Sequence, residues 1–163
     1  RYGTLDDSSL MMRKLTEVRR VICASPAYLE RAGVPERPED LEQHNCLLMR
    51  FGEVPDRQWS FMVDGEETRV IVRGDRTSND SELVRLWCVA GHGIARKSDV
   101  DIAADVAAGR LVPLLGDFEA PRAGIQLVFP GGRPQARRVR LLLEHLVDSP
   151  LPAAATHPAA RRG

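Results

Sequence analysis

Cys23 and His44 are residue types that suit nucleophilic catalysis, in which a thiolate attacks and an imidazole serves as its base. Cys23, however, sits in an apolar run, Val21-Ile22-Cys23-Ala24, that feeds directly into Ser25-Pro26. A cysteine in such a run is expected to be a small buried hydrophobe. Catalysis through Cys23 therefore stands as a rival reading that requires the thiol to be accessible. Ser25 offers different chemistry. A hydroxyl at a helix N-terminus joins free backbone N–H groups and the positive end of the helix dipole, a combination that holds carboxylates. Ser78-Asn79 is a second such start, and the alternative role for both is ordinary capping. Arg96-Lys97 places two cations beside an expected strand end, as a solvated surface or as an anion contact. Among the histidines, 44, 92, 145 and 157, no metal-ligand spacing occurs, and GxSxG, HExxH and P-loop motifs are absent from the sequence. Gly91-His92-Gly93 reads as a helix stop and tight turn, because the third glycine and preceding strand of a dinucleotide fingerprint are missing.

The composition narrows the frame that must position these groups. The chain has 163 residues, 43% hydrophobic and 28% charged, enough for one domain or two small lobes. Lys plus Arg equals Asp plus Glu at 23 each, which argues against this chain gripping DNA through phosphates. The three cysteines, 23, 46 and 88, are odd in number and lie in apolar patterns. Reduced, buried thiols and a cytoplasmic location are expected. The first residues, RYGTLDDSSL, begin in mid-pattern and read as a piece of a longer protein.

Ser25 is read as an N-cap, Pro26 as the first helical residue and Gly33 as the stop. Pro38 opens a second short helix and Cys46 to Phe51 is a strand. Trp59, Phe61 and Val63 alternate, Asp64-Gly65 turns the chain, and Val70 and Val72 alternate again, which predicts a hairpin. Leu83, Leu86, Trp87 and Ala90 follow a helical stripe, capped by Ser78 or Asn79. A strand at Ile94-Ala95, a helix from Ser98 to Ala108 and strands at 111–115 and 125–129 follow. Val139, Leu142, Leu143, Leu146 and Val147 mark a final amphipathic helix. After Asp148 the composition predicts a disordered tail over 149–163. Strands alternating with helices indicate an α/β fold with crossover connections.

In order along the chain, RYGTLDDSSLMMRKL, CASPAYLERxGxPxxPxDLxxHxCL, WSFxVDG, SNDSELVRLWCVAGHGIA and AADVAAGRLVPLL resemble the effector-binding domain of LysR-type transcriptional regulators, from Arg1 to about Val147. The resemblance implies a two-lobed, type 2 periplasmic-binding-protein-like α/β fold, here with lobe II complete and lobe I incomplete. Lobe I is expected from 1–44 and 119–148, and lobe II from 45–118. The resemblance further implies a small-molecule effector in an inter-lobe cleft, contacted by Arg1, Gly3, Ser25, Pro26, Ser78, Asn79 and Ile94. After GIA the family continues with apolar residues and proline, where this chain has Arg96-Lys97. An anionic effector is expected from that departure. The implied partners are a second copy, as a homodimer or tetramer of the parent protein, and promoter DNA through an N-terminal winged helix-turn-helix. No enzyme activity, cofactor or metal is expected. A transport solute-binding protein is the alternative.

Overall fold

The computed structural model describes residues 10–118, 122–130 and 137–148. In chain order the elements are β1 (Leu10–Val18), β2 (Arg20–Ala24), α1 (Pro26–Ala32), a 3₁₀ helix (Pro38–Gln43), β3 (Cys46–Phe51), β4 (Val54–Pro55), β5 (Gln58–Val63), β6 (Glu66–Ile71), β7 (Thr77–Ser78), α2 (Ser81–Val89), β8 (Ile94–Ser98), α3 (Asp99–Ala107), β9 (Val112–Leu114), β10 (Ala123–Pro130) and α4 (Arg137–Asp148). They divide into two units. One runs continuously from Arg19; the other joins β1 to β10 and α4.

The continuous unit is built on a mixed sheet ordered β4-β3-β8-β2-β9, with β7 pairing to β3. β3 and β8 are parallel, with Cys46 opposite Ile94. Their connection is the crossover through α2, the arrangement that parallel neighbours require. β2 runs antiparallel to both β8 and β9, with Cys23 opposite Ala95 and Ile22 opposite Leu114. Side-chain alternation then sorts the core into two layers. Cys23, Leu47 and Ala95 point to one face, where Val84 and Cys88 of α2 and Ile102 of α3 cover them. Ile22, Ala24, Cys46, Leu48 and Ile94 point to the other, covered by Tyr28, Leu41 and the hairpin residues Trp59, Phe61 and Val70.

That hairpin turns as its sequence dictates. Asp64 and Gly65 have φ values of 51° and 85°, the paired positive values of a type I′ turn. Two further glycines are required by contact. A Cβ on Gly74 would lie 1.6 Å from the Cys46 carbonyl oxygen, and one on Gly93 would lie 2.4 Å from that of Asn45. Side-chain removal lets these connections press against the start of β3. On the helical face, buried Asp105 of α3 is paired with Arg85 of α2 and with Arg110 Nε at 2.7 Å. Burial alone would raise its carboxyl pKa, but the hydrogen bonds from Arg110 and Arg85 outweigh it and hold that pKa below the ordinary value.

In the second unit β1 pairs antiparallel with β10, with a register shift between Lys14 and Thr16. α4 exposes Leu141, Leu142 and Leu146. Residues 19–44 had been expected with lobe I. Instead β2 hydrogen-bonds to β8 and β9, and Tyr28 and Leu41 pack into the core shared with Trp59 and Ile94. The pairing of β2 therefore groups 19–44 with 45–118. The expected tail, 149–163, lies outside the described residues.

Candidate functional site

Ser25 occupies the end of the sheet at which β2 finishes and β3 begins. It is 3% exposed, and its Oγ accepts the Tyr28 N–H at 3.3 Å as the N-cap of α1. A Cβ on Gly91 would lie 3.3 Å from that oxygen, so the C-terminal end of α2 closes over it. Further internal bonds knit this end together. The Tyr28 hydroxyl accepts the Asn45 N–H at 3.0 Å and shares a hydrogen bond with His44 Nδ1 at 3.1 Å. Asn45 Nδ2 donates to Asp75 Oδ1 and to the His92 carbonyl. His44 is thus engaged by Tyr28. Cys23 is fully buried, and its thiol lies 3.7 Å from the Ala95 carbonyl. The adjacent Cys88 thiol, together with burial, holds the Cys23 thiol well above its ordinary pKa. Burial pushes Cys46 up to about 12. Such thiols stay protonated at neutral pH and make poor nucleophiles.

The opposite end gathers most of the remaining candidates. α2 separates the two ends by about 13 Å, the rise of its nine residues. Ser25 and Ser78-Asn79 therefore do not meet. Neither Ser78 nor Asn79 caps α2, contrary to expectation. Asp80 does, with Oδ1 accepting from the N–H groups of Glu82 and Leu83 at 2.8 and 3.3 Å. Ser78 Oγ accepts the Asp80 N–H at 3.0 Å, and Lys97 Nζ donates to Ser81 Oγ and to the Ser81 carbonyl at 2.9 Å. These bonds occupy the two flanking hydroxyls. Asn79 remains exposed, and no described residue bonds its side chain.

α3 also begins at this end, with Ser98 Oγ accepting the Asp101 N–H at 3.3 Å. Two helix N-termini and two cations thus share it. Lys97 is 3% exposed and lies 3.4 Å from Asp101. Arg96 points to the other sheet face, where its terminal nitrogen donates to Asp56 Oδ2 at 2.5 Å and its guanidinium lies 5.5 Å from the Trp59 ring centroid. The basic pair expected at a rim is thereby split between two faces, each cation with a protein acceptor. Ile94 is fully buried in the hairpin-side core, while Pro26 is exposed at the Ser25 end. Arg1 and Gly3 lie outside the described residues. Asp56 and Trp59 escaped sequence reasoning as site residues; the GEVPD turn and the alternating hairpin identified their elements without indicating that Arg96 would meet them.

An apolar groove of about 180 Å³ lies beside α3, lined by Val21, Ile102, Val106 and Pro113, with the Arg19–Asp99 ion pair of 3.5 Å at its rim. Among the described residues no cluster of three His, Cys, Asp or Glu side chains is placed to hold a metal. No described helix is long and apolar enough to cross a membrane.

The second end lies beyond the carboxyl ends of β3 and β8, the place where open α/β sheets hold small molecules. Comparison with known proteins makes this specific. The family model for the LysR substrate binding domain matches residues 1–150. The HTH-type transcriptional regulator DmlR of Escherichia coli is 31% identical over 85% of this chain and 45% of its own length. The HTH-type transcriptional regulator CrgA of Neisseria meningitidis is 32% identical over 91% of this chain and 49% of its own. The chain thus spans about half the length of these relatives. Among solved structures, the CrgA regulatory domain aligns with a TM-score of 0.77 and 30% identity, covering 89% of this chain and 71% of that one. The regulatory domain of AphB from Vibrio vulnificus aligns at 0.73 and 30%, covering 90% and 72%. The chain belongs to the LysR substrate-binding domain family.

Proposed function

We propose that this domain senses a small anionic effector for a LysR-type transcriptional regulator, and that the effector is held at the start of α2. The observation that carries this reading is the exposed Asn79 amide. It stands one residue before the Asp80 cap, at a helix terminus whose partial positive charge favours anions. Ser25, bonded and buried beneath Gly91, serves structure instead.

Sensing works by linkage. An effector that prefers one conformation of the regulator shifts the population toward it, by no more than its differential affinity for the two states. The parent protein, as a homodimer or tetramer, passes that shift to promoter DNA through a winged helix-turn-helix domain. No bond is made or broken, and the work is done in the cytoplasm. Because its relatives are transcriptional regulators, this reading takes precedence over a transport solute-binding protein.

The test is a thermal-shift screen of the parent protein against small carboxylates, aromatic acids and sugars, since a ligand of the folded state raises the melting temperature. Asn79→Ala should weaken a hit by about 10- to 100-fold, the worth of a hydrogen bond to a charged group. Ser25→Ala should lower the melting temperature yet leave affinity intact. A hit indifferent to Asn79 would move the site elsewhere.

A further inference from the structure

We propose that Arg96 is a carboxylate-binding residue of this domain, and that a ligand carboxylate displaces Asp56 from its guanidinium. The inference goes beyond the effector-sensing reading by assigning a second anion contact, on the sheet face opposite α2. A guanidinium offers five N–H donors and engages carboxylates best through two parallel bonds. Arg96 meets Asp56 with only one, from its terminal nitrogen to Oδ2. Its Nε is buried and has no acceptor among the described residues. A buried donor left without an acceptor is costly, so an anion that fills the fork gains the bond that Asp56 leaves unmade.

Asp56 is built to yield. Its backbone is fixed, with its N–H donated to the Met49 carbonyl at 2.7 Å and its own carbonyl accepting Trp59 Nε1 at 3.2 Å. Its carboxylate is 20% exposed and needs only side-chain rotation to reach water. Trp59 remains as a flat floor under the guanidinium. Because the group already seated there is a carboxylate, a ligand carboxylate replaces it like for like. Lys97 does not compete, being committed to Ser81 and Asp101 on the opposite face.

The chain has two tryptophans, so Trp87→Phe leaves Trp59 as the sole indole reporter. In the full 163-residue chain carrying this change, Trp59 fluorescence should respond saturably to benzoate or malonate and not to benzamide or malonamide. Asp56→Asn should tighten binding about tenfold, by removing the internal competitor. Arg96→Met should weaken it at least tenfold. If Arg96→Met fails to fold because Asp56 is left unpaired, the double change Arg96→Met with Asp56→Asn removes both charges and must still fail to bind. Carboxylate affinity unchanged by Asp56→Asn and Arg96→Met would overturn the assignment while leaving sensing at Asn79 standing. No response to any carboxylate would also overturn it. Loss of every hit in the wider effector screen would take the sensor reading with it.

Discussion

Tyr28 shows how one hydroxyl joins elements that the chain lays down separately. It accepts from the Asn45 backbone and is hydrogen-bonded to His44, tying α1 to the segment leading into β3. Tyr28→Phe keeps the ring and strands the Asn45 N–H, so stability should fall by about 1–3 kcal/mol, measured as a shift in the urea midpoint at unchanged m-value. That a helix carries Tyr28 was legible from the Ser25-Pro26 start and the Gly33 stop. That its hydroxyl meets His44 was not, because the contact depends on how the 3₁₀ helix folds back. The same holds for Arg96. Sequence marked it as a departure from the family pattern, but only the fold brings Asp56 and Trp59 to it.

At the scale of elements, the local code was most readable where one residue type had one use. Asp64-Gly65 specified the β5–β6 turn because both positions need positive φ. The start of α2 was ambiguous, since Ser78, Asn79, Asp80 and Ser81 are all cap-forming types in succession. The choice falls to Asp80 because Lys97 binds the Ser81 hydroxyl and Ser78 accepts the Asp80 N–H. Asp80→Ala should therefore cost about 1 kcal/mol. Asn79→Ala should stay within about 0.5 kcal/mol, as expected for an exposed residue without a bond. Parallel urea titrations decide between this register and a cap at Asn79. β1 was illegible for another reason: Met11, Met12, Arg13 and Lys14 are all exposed, so no alternation announces the strand. Pairing to β10, with its register shift, makes it one.

For the whole molecule, Asp105 gives a pH dependence. Its carboxyl pKa is depressed in the folded state, so its contribution is present above the unfolded value of about 4 and is lost as pH falls through the folded value. The melting temperature of the native chain should drop between about pH 5 and pH 2, whereas Asp105→Asn should begin lower and lose less over that window. Apolar runs announce buried strands without saying which sheet receives them. β2 goes to the sheet of β8 and β9. That placement has a consequence for how the molecule is assembled. β2 opens the continuous unit and β9 is its last described strand, and the two lie side by side and antiparallel. Entry and exit therefore share one doorway. The unit is an insert with neighbouring ends, the arrangement that lets domain insertion and circular permutation succeed without disturbing the host.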